Sequence, residues 1–293
     1  MSTARSVFIR RLISTLGLWG LIVASVFLGN DWGFFVIIAL PALVALNEYF
    51  RMAKDLGAPV FTLTGTICAF VYLLTSFLYL QSYGPEPSSD LEMGVLVAFL
   101  VVVFARQMFR AVADREPLEA VAYTVFGLLY IPWMFNFVTK IIFLSPRAED
   151  GIVTGQYYVI FLLIVTKFSD MGAYVFGSLF GRHPFAPHIS PKKTWEGFAG
   201  ALFSALLGSY WIYALMPEKL SALRFEDVTI LGLLLGFVAV IGDLAESIIK
   251  RSTQTKDSSS VLPGIGGTLD LIDSILFTAP LMYFYLRLVV GLG

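Results

Sequence analysis

Charge is scarce in this chain. Of its 293 residues only 14% are Asp, Glu, Lys or Arg, while 57% are hydrophobic. Ordinary soluble domains carry roughly 25% charged and 45–50% apolar residues. The shortfall excludes a cytosolic enzyme, a disordered chain and a nucleic-acid binder with a basic face. Cysteine is almost missing too, and the single Cys68 excludes a disulfide framework or a multi-cysteine metal site. Two histidines, His183 and His188, leave little material for a histidine-rich zinc centre. What the sequence does have is long apolar runs. The class that remains is an all-α, polytopic integral membrane protein, in which the 20 basic and 21 acidic residues are the informative minority.

A bilayer core of about 30 Å takes about 20 apolar residues per helix. Runs of that kind lie near 12–29, 32–50, 58–82, 92–112, 118–144, 155–180, 197–216, 228–249 and 268–290, which predicts about nine helices. Arg10-Arg11 before the first run would also open a signal peptide. No small-residue cleavage site follows, so this run reads as a retained helix. With the N-terminus in the cytoplasm, fourteen of the 20 lysines and arginines fall on the cytoplasmic side, five outside, and Lys167 within a span. That bias orients the chain by the positive-inside rule and agrees with an odd number of helices. Charge also divides the chain, into an apolar 1–150 that reads as scaffold and candidate dimerisation region, and a polar-studded 151–293 that reads as the catalytic region.

Ionisable groups inside a span cost at least about 2.5–3.5 kcal/mol each near its centre, so they need partners or a wet cavity. Lys167 and Asp170 lie three apart with Tyr174 four further on, all on one helix face. An internal ion pair accounts for the first two equally well. Asp243 and Glu246 are three apart at the cytoplasmic end of the eighth run, and Ser247, Lys250 and Arg251 follow. Asp270 and Asp273 repeat the spacing at the start of the ninth. Two antiparallel helices can therefore aim four carboxylates at one point. Without a counter-charge such a group repels itself, and a hard divalent cation resolves the conflict. The alternative, a favourable helix dipole at Asp270 and Asp273, accounts for only part of the cluster.

Two cytoplasmic loops, 181–197 and 251–267, supply the complement. Ser190-Pro191 reads as a helix start, with Lys192, Lys193, Thr194 and Glu196-Gly197 behind it, where exposed amides and lysines suit phosphate oxygens. In the second loop Lys250, Arg251 and Lys256 lead to Asp257 and a run of serines. Pro263-Gly264-Ile265-Gly266-Gly267 then permits close backbone approach just ahead of Asp270.

The pattern Ser247-x-x-Lys250-Arg251-x4-Lys256-Asp257, then Leu262-Pro263-x-x-Gly266-Gly267-x-x-Asp270-x-x-Asp273, resembles the C-terminal signature of the phosphatidate cytidylyltransferases, or CDP-diacylglycerol synthases. Gly242-Asp243-Leu244-x-Glu246-Ser247, Asp170-x-x-Ala173-Tyr174 and Ser190-Pro191-Lys192-Lys193-Thr194-Trp195-Glu196-Gly197 fit as well. The resemblance runs from about 167 to 280. Two positions depart from it: Ile265 stands where the family has histidine, and Leu271 where it has arginine.

The resemblance implies attack of a phosphatidic acid phosphate on the α-phosphorus of CTP, in an enzyme of the cell (inner) membrane. It implies Mg²⁺ in a two-ion site, with Asp243 and Asp270 as principal ligands and Glu246 and Asp273 assisting. Lys193, Lys250, Arg251 and Lys256 would hold phosphates beside Asp257. Ser190, Thr194, Glu196, Ser247, Gly266 and Gly267 would enclose the nucleotide, and Lys167, Asp170 and Tyr174 the lipid headgroup. The partners implied are CTP, phosphatidic acid and membrane lipid, with a homodimer as a further candidate and no nucleic acid. A cation-coupled transporter is the rival from another class, but transporters set their carboxylates near the bilayer midplane on broken helices. A CDP-alcohol phosphotransferase would carry a compact Asp-Gly-x-x-Ala-Arg motif, which is missing. A non-catalytic or altered-specificity homologue is the third rival, although every carboxylate of the pattern is retained.

Overall fold

The computed structural model describes residues 30–84, 88–110, 115–145, 154–253, 255 and 266–292. Among them, eight helices are long and apolar enough to cross a membrane. Their limits follow the expected runs to within a few residues, because lipid leaves the backbone no alternative to intrahelical hydrogen bonds. The ninth expected run, 12–29, lies outside the described residues.

Helix α1 (Asp31–Asp55) begins where the Asn30 side chain accepts a hydrogen bond from the Trp32 amide at 3.0 Å, and it carries Asp31 in its first turn and Lys54 in its last. Both charges suit the helix dipole. α2 (Thr62–Tyr83) stops at Gly84, whose φ of 73° is open to glycine. α3 (Ser88–Met108) follows. α4 (Glu116–Leu128) runs through a π-helical turn, Leu129–Trp133, before α5 (Phe137–Leu144) completes the same span. Pro132 lies in that turn and lacks the amide a regular helix would use there, which accounts for the local widening.

α6 (Gln156–Phe180) leads into a two-stranded antiparallel hairpin, β1 (Pro184–Ala186) and β2 (Ser190–Thr194). α7 (Trp195–Leu215), α8 (Phe225–Ser252) and α9 (Thr268–Tyr285) complete the chain, the last running on into a π-helical turn at Leu286–Val290. The hairpin corrects one expectation. Ser190-Pro191 starts a strand, and the helix begins four residues later with Thr194 as its N-cap, its hydroxyl accepting from the Gly197 amide at 3.1 Å. Proline is tolerated in a short edge strand, and threonine offers the amides an acceptor that proline cannot.

The chain forms two compact units. One comprises Met1–Thr139 with Ser252–Ile272, the other Lys140–Arg251 with Asp273–Gly293. This partition is interleaved in sequence. In the first, Asn136 is fully buried and donates to Tyr72 Oη at 3.2 Å and Ser76 Oγ at 2.7 Å, tying α2 to the residue just before α5.

In the second, small residues let backbones approach, as is usual between helices in lipid. A methyl group on Gly172 would strike the Gly200 carbonyl and Ser204, and one on Gly236 would meet Ala205. Gly242 does the same between α8 and α9, where a Cβ would lie 2.8 Å from the Asp273 carbonyl oxygen and 2.9 Å from Ser274 Cα. Hydrogen bonds pin these helices laterally: Thr166 Oγ1 to Thr278 Oγ1 and Ser169 Oγ to the Gly236 carbonyl, each at 3.2 Å.

Candidate active site

The close approach at Gly242 places acids beside one another. Asp243 and Glu246 from α8 and Asp273 from α9 each offer a carboxylate oxygen within 4.8 Å of the others. Glu246 is 2% and Asp273 6% exposed, whereas the Asp243 side chain is 45% exposed and forms the open side of the group. Two lysines answer these acids. Lys250, one turn along α8, pairs with Glu246 at 2.7 Å, and Lys193 reaches Asp243 from β2 at 2.8 Å.

The hairpin is therefore the element that presents Lys193. Its base is held by Glu196, which accepts from the amides of Arg182 at 3.1 Å and His183 at 3.3 Å and pairs with His183 Nδ1 at 2.6 Å. Its tip is held by Arg251, whose Nε donates to the Ile189 carbonyl at 3.3 Å. A T-shaped pair of Phe185 with Trp195 and a stack of Phe185 on Phe198 fix it to the start of α7.

Further along α6, Lys167 pairs with Asp170 at 3.0 Å, and Asp170 accepts from Ser274 Oγ at 3.3 Å, so this pair is joined to α9. Asp273 in turn accepts from the Ser274 amide. Tyr174, one turn beyond Asp170, is 76% exposed. Ser190 is half-buried at the start of β2, and Ser247 half-buried on α8 between Glu246 and Lys250.

Asp270 belongs to the first compact unit. It lies in the first turn of α9, where its Oδ2 accepts from the Gly267 amide at 2.6 Å. Gly266, at φ 117°, makes the turn into the helix. Lys256, Asp257 and Ile265 lie outside the described residues.

One carboxylate escaped the sequence reading. Glu48 of α1 is 1% exposed and accepts from the amides of Thr268 at 3.0 Å and Leu269 at 2.8 Å, through one oxygen each. The available signal was a lone acid inside an apolar run, which by its cost alone calls for a partner.

These features define a class: a polytopic membrane protein with a lysine-flanked carboxylate centre between two helices. A family model described as "Cytidylyltransferase family" matches residues 9–289, and the chain belongs to that family. It is similar to phosphatidate cytidylyltransferase 5, chloroplastic, of Arabidopsis thaliana, with 33% identity covering 97% of this chain and 73% of that one. Phosphatidate cytidylyltransferase of Bacillus subtilis is 30% identical over 92% of this chain and 96% of its own length. The uncharacterized protein YnbB of Escherichia coli is 30% identical over 92% and 85%.

Proposed function

We propose that this chain is a phosphatidate cytidylyltransferase, which converts CTP and phosphatidate to CDP-diacylglycerol and pyrophosphate. The observation that carries the reading is the meeting of Asp243, Glu246 and Asp273 with Lys193 and Lys250, in a chain whose family is named for this transfer. A phosphate oxygen of phosphatidate attacks the α-phosphorus of CTP. The bond from that phosphorus to the α–β bridging oxygen breaks, and pyrophosphate leaves with the electron pair. The attacking phosphate is already ionised at pH 7, so the reaction needs no general base.

An all-oxygen donor set with two buried carboxylates fits a hard divalent cation such as Mg²⁺. Asp243, Glu246 and Asp273 would hold it, and Asp270, one turn earlier on α9, is proposed as a further ligand in a two-ion arrangement. Such ions neutralise charge and align both oxygens of an in-line displacement. Lys193, Lys250, Arg251 and Lys256 are assigned to phosphate oxygens, and Asp257 to the same catalytic group. Ser190, Ser247, Gly266 and Gly267 line the nucleotide, whereas Thr194 and Glu196 shape the hairpin that brings Lys193 in. Lys167, Asp170 and Tyr174 receive the lipid headgroup.

The charge bias of the loops supports a cytoplasmic N-terminus and a cytoplasmic site, at the inner membrane. A homodimer is the further partner this reading admits, and mass measurement in nanodiscs decides it.

Purified protein supplied with phosphatidic acid, labelled CTP and Mg²⁺ should release pyrophosphate and form CDP-diacylglycerol. Asp243→Asn should lower turnover by at least 100-fold. Normal turnover in that variant would sink the site assignment, and no product from the parent protein would sink the activity.

A further inference from the structure

We infer that Glu48 is a positioning residue for the proposed reaction. Its carboxylate caps the N-terminus of α9 and so fixes the place of Asp270. The first four amides of a helix have no partner within it, and a buried helix start must find acceptors elsewhere. Here the acceptor comes from 220 residues earlier in the chain. Both oxygens of Glu48 are used, on Thr268 and Leu269, and the group is buried. Negative charge at this end also suits the helix dipole.

The Gly267 amide, immediately before these two, donates to Asp270. Three successive amides therefore hold two carboxylates, one supplied by α1 and one by α9 itself. The division of labour has a chemical point. With Thr268 and Leu269 held by Glu48, the amide of the helix start that donates to Asp270 is that of Gly267. Without Glu48 those two amides lose their acceptor, and the first turn of α9, which carries Asp270, loses its tie to α1.

This inference rests on the reading of Asp270 as a metal ligand, and its test separates the two. The protein in nanodiscs is titrated with Mn²⁺ by electron paramagnetic resonance, and amide exchange is followed by mass spectrometry over 266–272. In Glu48→Gln one acceptor oxygen becomes an NH₂ group facing a backbone amide. Exchange over 266–272 should rise at least tenfold and Mn²⁺ affinity should fall at least fivefold.

Asp31→Asn removes a carboxylate at the other end of α1, one that accepts from Gln81 at 3.0 Å, and should leave Mn²⁺ affinity unchanged. That control separates positioning from general loosening of the helix. Should Glu48→Gln fail to fold, Glu48→Asp, one methylene too short to reach both amides, carries the same comparison. Weak Mn²⁺ binding in Asp270→Asn with wild-type affinity in the Glu48 variant overturns the positioning role alone. Wild-type Mn²⁺ affinity in Asp270→Asn overturns both readings.

Discussion

Asp273 is compensated differently from the other two acids, by the through-space attraction of Lys167 and not by a lysine in salt-bridge contact. Asp243 has Lys193 and Glu246 has Lys250, whereas the hydrogen bond Asp273 accepts comes from the neutral Ser274 amide. Two unit charges about 5 Å apart repel by about 3 kcal/mol at an effective dielectric of 20. Attraction from the lysines offsets part of this repulsion. Asp273→Asn should therefore raise the metal-free Tm at pH 8. The same variant should lose the Tm increase that Mg²⁺ gives the parent protein. A thermal-shift titration checks both halves, and a lower metal-free Tm with an intact Mg²⁺ response contradicts the arrangement. The acids were legible as residues, since carboxylates in apolar runs are conspicuous. Their partners were not: Lys193 and Asp243 stand 50 positions apart, and only the folded hairpin joins them.

At the scale of elements, the approach of α8 to α9 depends on Gly242. A methyl group there must displace backbone atoms of Asp273 and Ser274, not the end of a flexible side chain. Gly242→Ala should push the helices apart by some tenths of an ångström and cost at least tenfold in turnover, together with the Mg²⁺-induced rise in Tm. Gly94→Ala on α3, where nothing lies within 4 Å, should leave both measurements at the parent value. The helices themselves could be read from the sequence because the bilayer sets their length and forbids unpaired backbone. The hairpin at Pro184–Thr194 could not. It is short, outside the apolar runs, and built around a Ser-Pro pair whose commoner use is to open a helix. Its identity is decided by tertiary contacts, the Phe185–Trp195 edge and the Glu196 carboxylate on two amides, which no local pattern announces.

The whole molecule is where the charge bias acts, and the single cysteine makes its proposed orientation measurable. In a Cys68→Ser background, Glu218→Cys and Lys192→Cys place thiols in loops proposed to face opposite sides. A membrane-impermeant thiol reagent applied to intact cells should label the first at once and the second only after lysis. The reverse pattern inverts the proposed topology, and labelling of both from outside contradicts a cytoplasmic site.

Glu48 also constrains how the protein is made. The first unit closes on Thr268 and Leu269, and 220 residues separate the acid from the first of these amides. At ~5–20 residues per second of synthesis, that interval lasts ~10–45 s. The early helices thus enter the bilayer well before the segment that seals them has been translated. Completion of the N-terminal part is deferred to the end of biogenesis, and a chain released before α9 would leave that part unclosed.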